Sequence, residues 1–385
     1  MDEPGAPHAM KVINRTAINA LFDAIANKGY ELVGPVVRDQ TIVYDTLSTA
    51  DDLPIGWTDD QTGGTYRLRK RDDEALFGYV LGPHSWKKYL YPPRTLIWKG
   101  SRASRGFDIE SAPRETKKYA FIGVRPCELH AILVQDDVFL RGKYVDSLYR
   151  SQRRQVLLVA VNCGQAGGTC FCTSMNTGPR AERGFDLALT EIIDGKKHAF
   201  TIETGTERGK EILDSVSCAE ATEADESAAA AAVANAAKQM DDTFDTTDIK
   251  ALFYDSYEHP RWDDVEKRCL TCANCTMVCP TCFCSAVEDI TDVTGEHVER
   301  WRQWDSCFTT DFSYIVGGSI RQSARSRYRQ WITHKLATWI DQFGTSGCVG
   351  CGRCITWCPV AIDIREETRA LRAVRPTGET NVGKT

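Results

Sequence analysis

Strand-like patterns of hydrophobic and polar residues fill the first half of the chain. The apolar runs YAFIGV (119–124) and VLLVAV (156–161) are typical of buried strands. The alternating runs FDLALTEI and KHAFTIET flank a turn containing Asp194-Gly195, which predicts a β-hairpin. We therefore predict a mixed α/β domain over residues 1–208.

Helical patterns replace the strand-like ones further along the chain. Residues 209–247 are rich in alanine and acidic residues, which favours a helical connector. Residues 248–385 show helical spacing, and Gly344 is a plausible helix stop. One apolar face of this region is formed by Tyr328, Ile332, Leu336 and Ile340. The whole chain is predicted to be α+β, with the mixed α/β domain followed by a mainly α-helical domain.

Composition narrows the classes of function. The chain has 385 residues, 42% of them hydrophobic, and a net charge of −6, which gives no reason to expect nucleic acid or a membrane surface as a partner. No apolar run has the length of a membrane span, and the acidic start MDEPGAPHAM lacks a signal-peptide pattern, so we expect a cytoplasmic protein. Sixteen cysteines in a reducing compartment indicate metal coordination rather than disulfides.

Two cysteine runs share the pattern CxxCxxCxxxCP. Their cysteines are Cys269, Cys272, Cys275 and Cys279 in the first run and Cys348, Cys351, Cys354 and Cys358 in the second. In two-cluster ferredoxins the first three cysteines of such a run bind one cubane cluster, and the fourth ligates the other. We predict one [4Fe–4S] cluster on Cys269, Cys272, Cys275 and Cys358, and a second on Cys348, Cys351, Cys354 and Cys279.

Structural zinc is the alternative for these runs. Zinc sites normally use two separated cysteine pairs, whereas here four thiols lie within eleven residues, twice, each time followed by proline. This arrangement favours iron–sulfur clusters. The long helical segment between the two runs predicts an α-helical ferredoxin domain.

Three further cysteines follow the first run. Cys282 and Cys284 lie directly after it, and Cys307 lies in WDSCF. They are either additional ligands or small apolar side chains packed near a cluster. A register in which Cys282 replaces Cys279 as a ligand also stays open.

Four cysteines in the first half form another candidate site. Cys127 follows YAFIGV and Cys163 follows VLLVAV, so parallel pairing of these strands would place both at the carboxyl edge of a sheet, where α/β proteins bind ligands. Cys170 and Cys172 lie on a glycine-rich loop that can reach the same edge. We expect a third [4Fe–4S] cluster there, with buried thiols shaping a turn as the alternative.

The motifs together resemble a known family. They are GVRPCELHAI, GGTCFCTSMNTGP, CANCTMVCPTCFC, WDSCF and CVGCGRCITWCPVAIDI. The set is similar to the iron–sulfur beta subunit of soluble NAD(P)-linked nickel–iron hydrogenases of the sulfhydrogenase type, and less closely to one subunit of anaerobic sulfite reductase. The resemblance covers both halves of the chain and supports the eight ligands of the two runs.

The resemblance implies an electron-transfer subunit. In that family the beta subunit carries electrons between a flavin subunit that exchanges hydride with NAD(P) and the small subunit of the nickel–iron hydrogenase. The sequence contains no dinucleotide or P-loop motif, and no catalytic residues are predicted. The alternatives are a subunit of a sulfite or sulfur reductase, or a catalytic subunit that uses the N-terminal cysteine crevice.

Overall fold

The computed structural model describes residues 10–80, 82–112, 117–195, 197–240 and 244–374. Residues 1–9, on which the expected lack of a signal peptide rests, lie outside these ranges. Within the described ranges no helix is long and apolar enough to cross a membrane. Helices and strands are mixed along the chain, and the α+β class predicted from the sequence is confirmed.

The strands of the described residues are numbered in chain order. They are β1 (Lys11–Asn14), β2 (Glu31–Arg38), β3 (Thr41–Thr46), β4 (Trp57–Thr62), β5 (Thr65–Lys70), β6 (Arg94–Arg102), β7 (Phe107–Ser111), β8 (Tyr119–Val124), β9 (Leu157–Val161), β10 (Leu187–Asp194), β11 (Lys197–Thr204), β12 (Ala219–Glu220), β13 (Ser285–Thr291), β14 (His297–Trp304), β15 (Tyr314–Ile315) and β16 (Gly318–Ser319).

The helices are numbered in the same way. They are α1 (Ile18–Asn27), α2 (Lys87–Leu90), α3 (Pro126–Leu140), α4 (Ser147–Arg154), α5 (Glu207–Leu213), α6 (Glu223–Lys238), α7 (Ile249–Asp255), α8 (Arg261–Arg268), α9 (Asn274–Met277), α10 (Ala324–Thr333), α11 (Trp339–Phe343), α12 (Arg353–Thr356) and α13 (Ile364–Ala373). Short 3₁₀ turns lie at Arg15–Ala17, Ala50–Asp52 and Asp311–Ser313, and a π turn spans His334–Thr338.

A mixed sheet forms the centre of the first half. Its order is β12-β1-β11-β10-β9-β8-β2-β3, with parallel pairing from β10 through β9 and β8 to β2 and antiparallel strands on both flanks. The apolar runs in β8 and β9 are buried except at Tyr119, because alternate side chains of these strands pack into two different hydrophobic cores. Parallel pairing of β8 with β9 and the β10–β11 hairpin agree with the sequence analysis.

The segment predicted as a connector belongs to this first half in space. Strand β12 pairs with β1 at the edge of the sheet, and α6 lies against β10 and β11. A capping box at Thr222 starts α6, and Asp225 of this helix forms an ion pair with Lys197 of β11. The alanine-rich sequence therefore forms a helix that covers the sheet.

The second half contains a core of aromatic and aliphatic side chains. Helices α7, α8, α10 and α13 contribute to it, and the face predicted from the helical spacing is buried at Tyr328, Ile332 and Leu336. The helical run ends at Gly344, which has a φ of 73° and accepts the left-handed conformation without a steric penalty.

A second sheet crosses from one half of the sequence to the other. Strands β6 and β7 come from the first half, β13 and β14 from the second, and their order is β13-β14-β6-β7. The helical pattern expected for most of residues 248–385 does not extend to the β13–β14 hairpin. Charged side chains are interspersed with the apolar ones and β13 is largely exposed, so the hairpin lacks the pattern of a strand with one buried face.

A buried ion pair also joins the two halves. Arg353 at the start of α12 and Glu128 in α3 both have side chains 1% exposed, with 2.6 Å between Nη2 and Oε1. Glu128 Oε2 accepts further hydrogen bonds from the Tyr44 hydroxyl at 2.6 Å and from Trp86 Nε1 at 3.0 Å. Arg353 also donates to the carbonyl oxygens of residues Gly82 and His84. These contacts satisfy both carboxylate oxygens of Glu128 and the Nε and Nη2 groups of Arg353, whereas Nη1 of Arg353 has no hydrogen-bond partner among the described residues. The pair fixes α12 against the first half.

Neutralising Glu128 should expose how much the fold depends on this pair. Glu128→Gln keeps the shape of the side chain but leaves the Arg353 charge buried without compensation. We expect the free energy of unfolding to fall by about 3–5 kcal/mol, measured by urea denaturation under anaerobic conditions. The control is Glu203→Gln, because Glu203 pairs with the half-exposed Arg180 and should contribute less than about 1 kcal/mol. Equal losses in the two variants would contradict the prediction.

Candidate metal centres

The two cysteine runs adopt the same backbone conformation. On either side of the central cysteine, φ is positive at Thr271 (51°) and Ala273 (66°) in the first run and at Gly350 (66°) and Gly352 (74°) in the second. Turns that alternate in this way gather backbone N–H groups into a concavity that binds anions, iron–sulfur clusters among them. The repeat in the sequence is therefore a repeat in the structure.

The first thiol group contains the first three cysteines of one run and the last cysteine of the other. Burial, and then the neighbouring Cys269, Cys358 and Cys272, raise the pKa of Cys275 well above its usual value. A cavity of about 30 Å³ is lined by these four residues together with others, including Cys354, Phe308 and Tyr328. The structure thus brings together Cys269, Cys272, Cys275 and Cys358.

The second thiol group has the complementary membership. Burial and then Cys348, Cys351 and Cys279 raise the pKa of Cys354 well above its usual value. Burial likewise raises the pKa of Cys348 to about 12, and Cys351 and Cys279 also raise it. Both groups have the membership expected from the sequence, with Cys279 and Cys358 exchanged between the runs.

The two groups are neighbours because short helices connect them. Cys275 lies in α9, which leads towards Cys279, and Cys354 lies in α12, which leads towards Cys358. Cys275 interacts electrostatically with Cys279, and Cys354 interacts with Cys275. Two cofactors held at these positions would lie next to each other.

Cys279 lies beside the buried Lys335 and beside the thiol of Cys282, which belongs to neither thiol group. A hydrogen bond from Cys282, followed by the effect of the Lys335 ammonium, lowers the pKa of Cys279 well below its usual value. Nζ of Lys335 is 3.3 Å from Cys279 Sγ. Cys282 therefore lies next to Cys279 as a thiol that can donate a hydrogen bond to it.

Cys284 and Cys307 form a separate pair nearby. The hydrogen bond from Cys307 is the main effect that lowers the pKa of Cys284, and Lys335 contributes less. The same hydrogen bond, followed by burial, raises the pKa of the Cys307 thiol. The pair lies where strand β13 begins and strand β14 has ended.

The four N-terminal cysteines meet at the carboxyl edge of the main sheet. Burial raises the pKa of Cys127 well above its usual value, and Cys172, Cys351 and Cys163 raise it further. Burial also raises the pKa of Cys170 to about 12, with Cys163 and Cys351 contributing. The group therefore borders Cys351 of the second thiol group, a contact that the sequence analysis did not anticipate.

A buried arginine accompanies this N-terminal group. Arg125 is 2% exposed and donates through Nη2 to the carbonyl oxygens of Phe77 and Tyr79, both at 2.8 Å. Burial raises the pKa of Cys163, while Arg125 opposes that rise through its charge and a hydrogen bond.

The donor sets fit iron–sulfur clusters. Within the described ranges no three His, Cys, Asp or Glu side chains are arranged to hold a single metal ion. A cubane places iron and sulfide between its ligands, so its four thiolates stand farther apart than four thiolates around one ion. Groups of four cysteines next to backbone N–H concavities supply the ligands and the hydrogen bonds that such clusters use.

The charged residues at these sites were missed by sequence reasoning. Arg353 lies inside the run CGRC and Arg125 directly precedes Pro126 and Cys127, and a single charged residue in such a loop is usually solvated. Lys335 lies next to Leu336 on a helical pattern, which predicts partial exposure. The π turn changes this by burying residues Lys335, Leu336 and Ala337 consecutively.

Comparisons with known proteins agree with this geometry. The family model described as "4Fe-4S dicluster domain" matches residues 268–362, which include both cysteine runs. The chain is 27% identical over 345 residues to Sulfhydrogenase 2 subunit beta of Pyrococcus furiosus, covering 89% of this chain and 91% of that subunit. No solved structure matches the chain. Residues 268–362 are thus a 4Fe–4S dicluster domain, and the chain is a homologue of a sulfhydrogenase beta subunit, which confirms the resemblance found in its motifs.

Proposed function

We propose that this chain is the electron-transfer subunit of a hydrogenase-type complex. It would carry single electrons between a subunit that binds flavin and NAD(P) and the small subunit of a nickel–iron hydrogenase. Bound [4Fe–4S] clusters supply the one-electron chemistry, and the protein supplies their positions and surroundings. The similarity to a sulfhydrogenase beta subunit over most of both chains supports this assignment.

The observation that carries the proposal is the pair of adjoining thiol groups. Each group takes three cysteines from one run and one from the other, as in two-cluster ferredoxins. We assign Cys269, Cys272, Cys275 and Cys358 to one [4Fe–4S] cluster and Cys348, Cys351, Cys354 and Cys279 to the other. Adjacent redox centres in one protein provide a route for electrons.

The first thiol group reaches the molecular surface. Cys272 is exposed, whereas Cys275 is half-buried. A surface concavity of about 710 Å³ lies beside the group and is lined by Cys358, Trp357 and Tyr66, among others. We therefore propose that electrons are exchanged with one partner subunit at the Cys272 side.

The four N-terminal cysteines form a third candidate site next to the second thiol group. Their contact with Cys351 places them next to the second thiol group and on the side of the first-half sheet. We propose that Cys127, Cys163, Cys170 and Cys172 bind a third [4Fe–4S] cluster. The loop that carries Cys170 and Cys172 packs on the second run, because Phe171 N–H donates to the Gly350 carbonyl oxygen at 2.9 Å. The full chain is therefore needed to test this site.

The first test is the cluster content and activity of the isolated chain. Anaerobically purified protein should contain at least about eight irons and eight acid-labile sulfides, since each cluster holds four of each. It should be reduced by an artificial one-electron donor but should not oxidise hydrogen until a nickel–iron subunit is added. Stoichiometric zinc without labile sulfide would remove the cluster assignment, and hydrogen turnover by the isolated chain would contradict the electron-transfer role.

The assignment of Cys279 as a cluster ligand can be tested by comparing its alanine variant with that of Cys282. Cys279→Ala should remove or damage the cluster of the second run, because Cys279 is assigned as its fourth ligand. Cys282→Ala is the matched control and should retain both clusters, as measured by iron content and EPR spectra of the reduced protein. The opposite result, with loss of a cluster only in Cys282→Ala, would establish the register in which Cys282 is the ligand.

The third site predicts a higher iron content in the full chain. With three clusters the protein should bind about twelve irons, and the double variant Cys163→Ala/Cys170→Ala should bind about eight. Cys218→Ala is the control, because the half-buried Cys218 packs against a core at a distance from the thiol groups. Equal iron contents in the native protein and the double variant would show that the four N-terminal cysteines are buried thiols.

A further inference from the structure

Lys335 places an ammonium group in the interior of the cysteine-rich half. The residue is 3% exposed and lies on the π turn His334–Thr338 between α10 and α11. Single π turns inside helices are frequently found at functional sites, because the extra residue per turn changes the direction of the side chains. Here the change in direction brings Lys335 to Cys279.

All three N–H donors of this ammonium have an acceptor. The distances from Nζ are 3.3 Å to Cys279 Sγ, 3.1 Å to Thr281 Oγ1 and 3.0 Å to the Gly347 carbonyl oxygen. A neutral amine has two donors, so three acceptors fit the charged form.

The surroundings of the two thiol groups therefore differ in charge. The second group has the Lys335 ammonium on Cys279, whereas the charge of the Arg353 guanidinium beside Cys351 is compensated by Glu128. In the first group, Cys358 Sγ accepts a hydrogen bond from the backbone N–H of Ile362 at 3.3 Å, and the half-buried Arg327 has a smaller effect on Cys269. Hydrogen bonds to sulfur and nearby charge are among the factors that set cluster potentials.

We propose that Lys335 is a positioning residue that raises the reduction potential of the cluster ligated by Cys279 relative to the cluster ligated by Cys269, Cys272, Cys275 and Cys358. Reduction adds one negative charge to a cluster, and a fixed ammonium in a buried site stabilises that charge more than it would in water. We call the cluster ligated by Cys279 the inner cluster and the other the outer cluster. An electron on the chain then resides preferentially at the inner cluster. This inference rests on the proposed cluster assignment and adds the order of the two potentials.

The test is a potentiometric titration of the full chain monitored by EPR. In Lys335→Met the ratio of oxidised to reduced inner cluster at a fixed potential should rise about tenfold, equivalent to about 59 mV for a one-electron couple. The outer cluster serves as the internal control, and its reduction potential should shift much less. In Lys335→Arg the potential of the inner cluster should stay close to its native value, because arginine keeps a positively charged hydrogen-bond donor. Lys250→Met is the matched control, since Lys250 on the adjacent α7 forms a solvent-exposed ion pair with Asp341.

Two results would overturn the inference. One is an unchanged potential in Lys335→Met with both clusters retained, and the other is a shift of equal size in Lys250→Met. If the methionine variant loses iron, the potentials of the native protein decide the question, and an inner cluster with a potential no higher than that of the outer cluster would overturn the inference. Pulsed EPR of native protein labelled with ¹⁵N-lysine then tests the contact itself. The reduced inner cluster should then couple to a lysine nitrogen, and the coupling should vanish in Lys335→Arg. Failure of the native protein to bind iron would instead refute the proposed function.

Discussion

The buried ion pair between Glu128 and Arg353 sets the arrangement of the whole cysteine-rich region. Removing two charges from water costs several kcal/mol, so such a pair needs good geometry and further hydrogen bonds to its remaining donors and acceptors. Here Tyr44, Trp86 and two backbone carbonyl oxygens supply most of those contacts, and Nη1 of Arg353 has no partner among the described residues. Since Arg353 lies between Cys351 and Cys354, fixing its position also fixes the second cysteine run on the edge of the main sheet.

The exchange of Cys279 and Cys358 imposes a second constraint on the same region. If each thiol group needs a cysteine from the distant run, neither group is complete until the helices between the runs have packed. Cluster binding would then be coupled to the folding of the second half, as in other small metal-binding domains. The close packing of Gly350 against Phe171 and Cys172 extends that dependence to the first half, because a Cβ on Gly350 would lie 2.6 Å from backbone atoms there.

The sequence predicted those parts of the site that depend on local spacing. The strands leading to Cys127 and Cys163, and the membership of the two thiol groups, follow from apolar runs and repeated cysteines. The β13–β14 hairpin did not follow, because its stability comes from pairing with β6, which is distant in sequence. The burial of Lys335 did not follow either, since a π turn alters the helical period that the prediction assumed. Contacts between distant segments are not visible in local periodicity.

Three buried, positively charged side chains lie beside cysteines of the N-terminal group and of the second thiol group. Arg125 accompanies Cys163, Arg353 accompanies Cys351, and Lys335 accompanies Cys279. Acceptors satisfy the N–H groups of a buried cation, but its charge is compensated only by an anion, and neutral thiols provide little compensation. Thiolates bound to a cluster with net negative charge would provide it. Glu128 already compensates Arg353, whereas the groups that contact Lys335 are a sulfur, a hydroxyl and a carbonyl oxygen. The charge of Lys335 is therefore the one most directly explained by a cluster on Cys279.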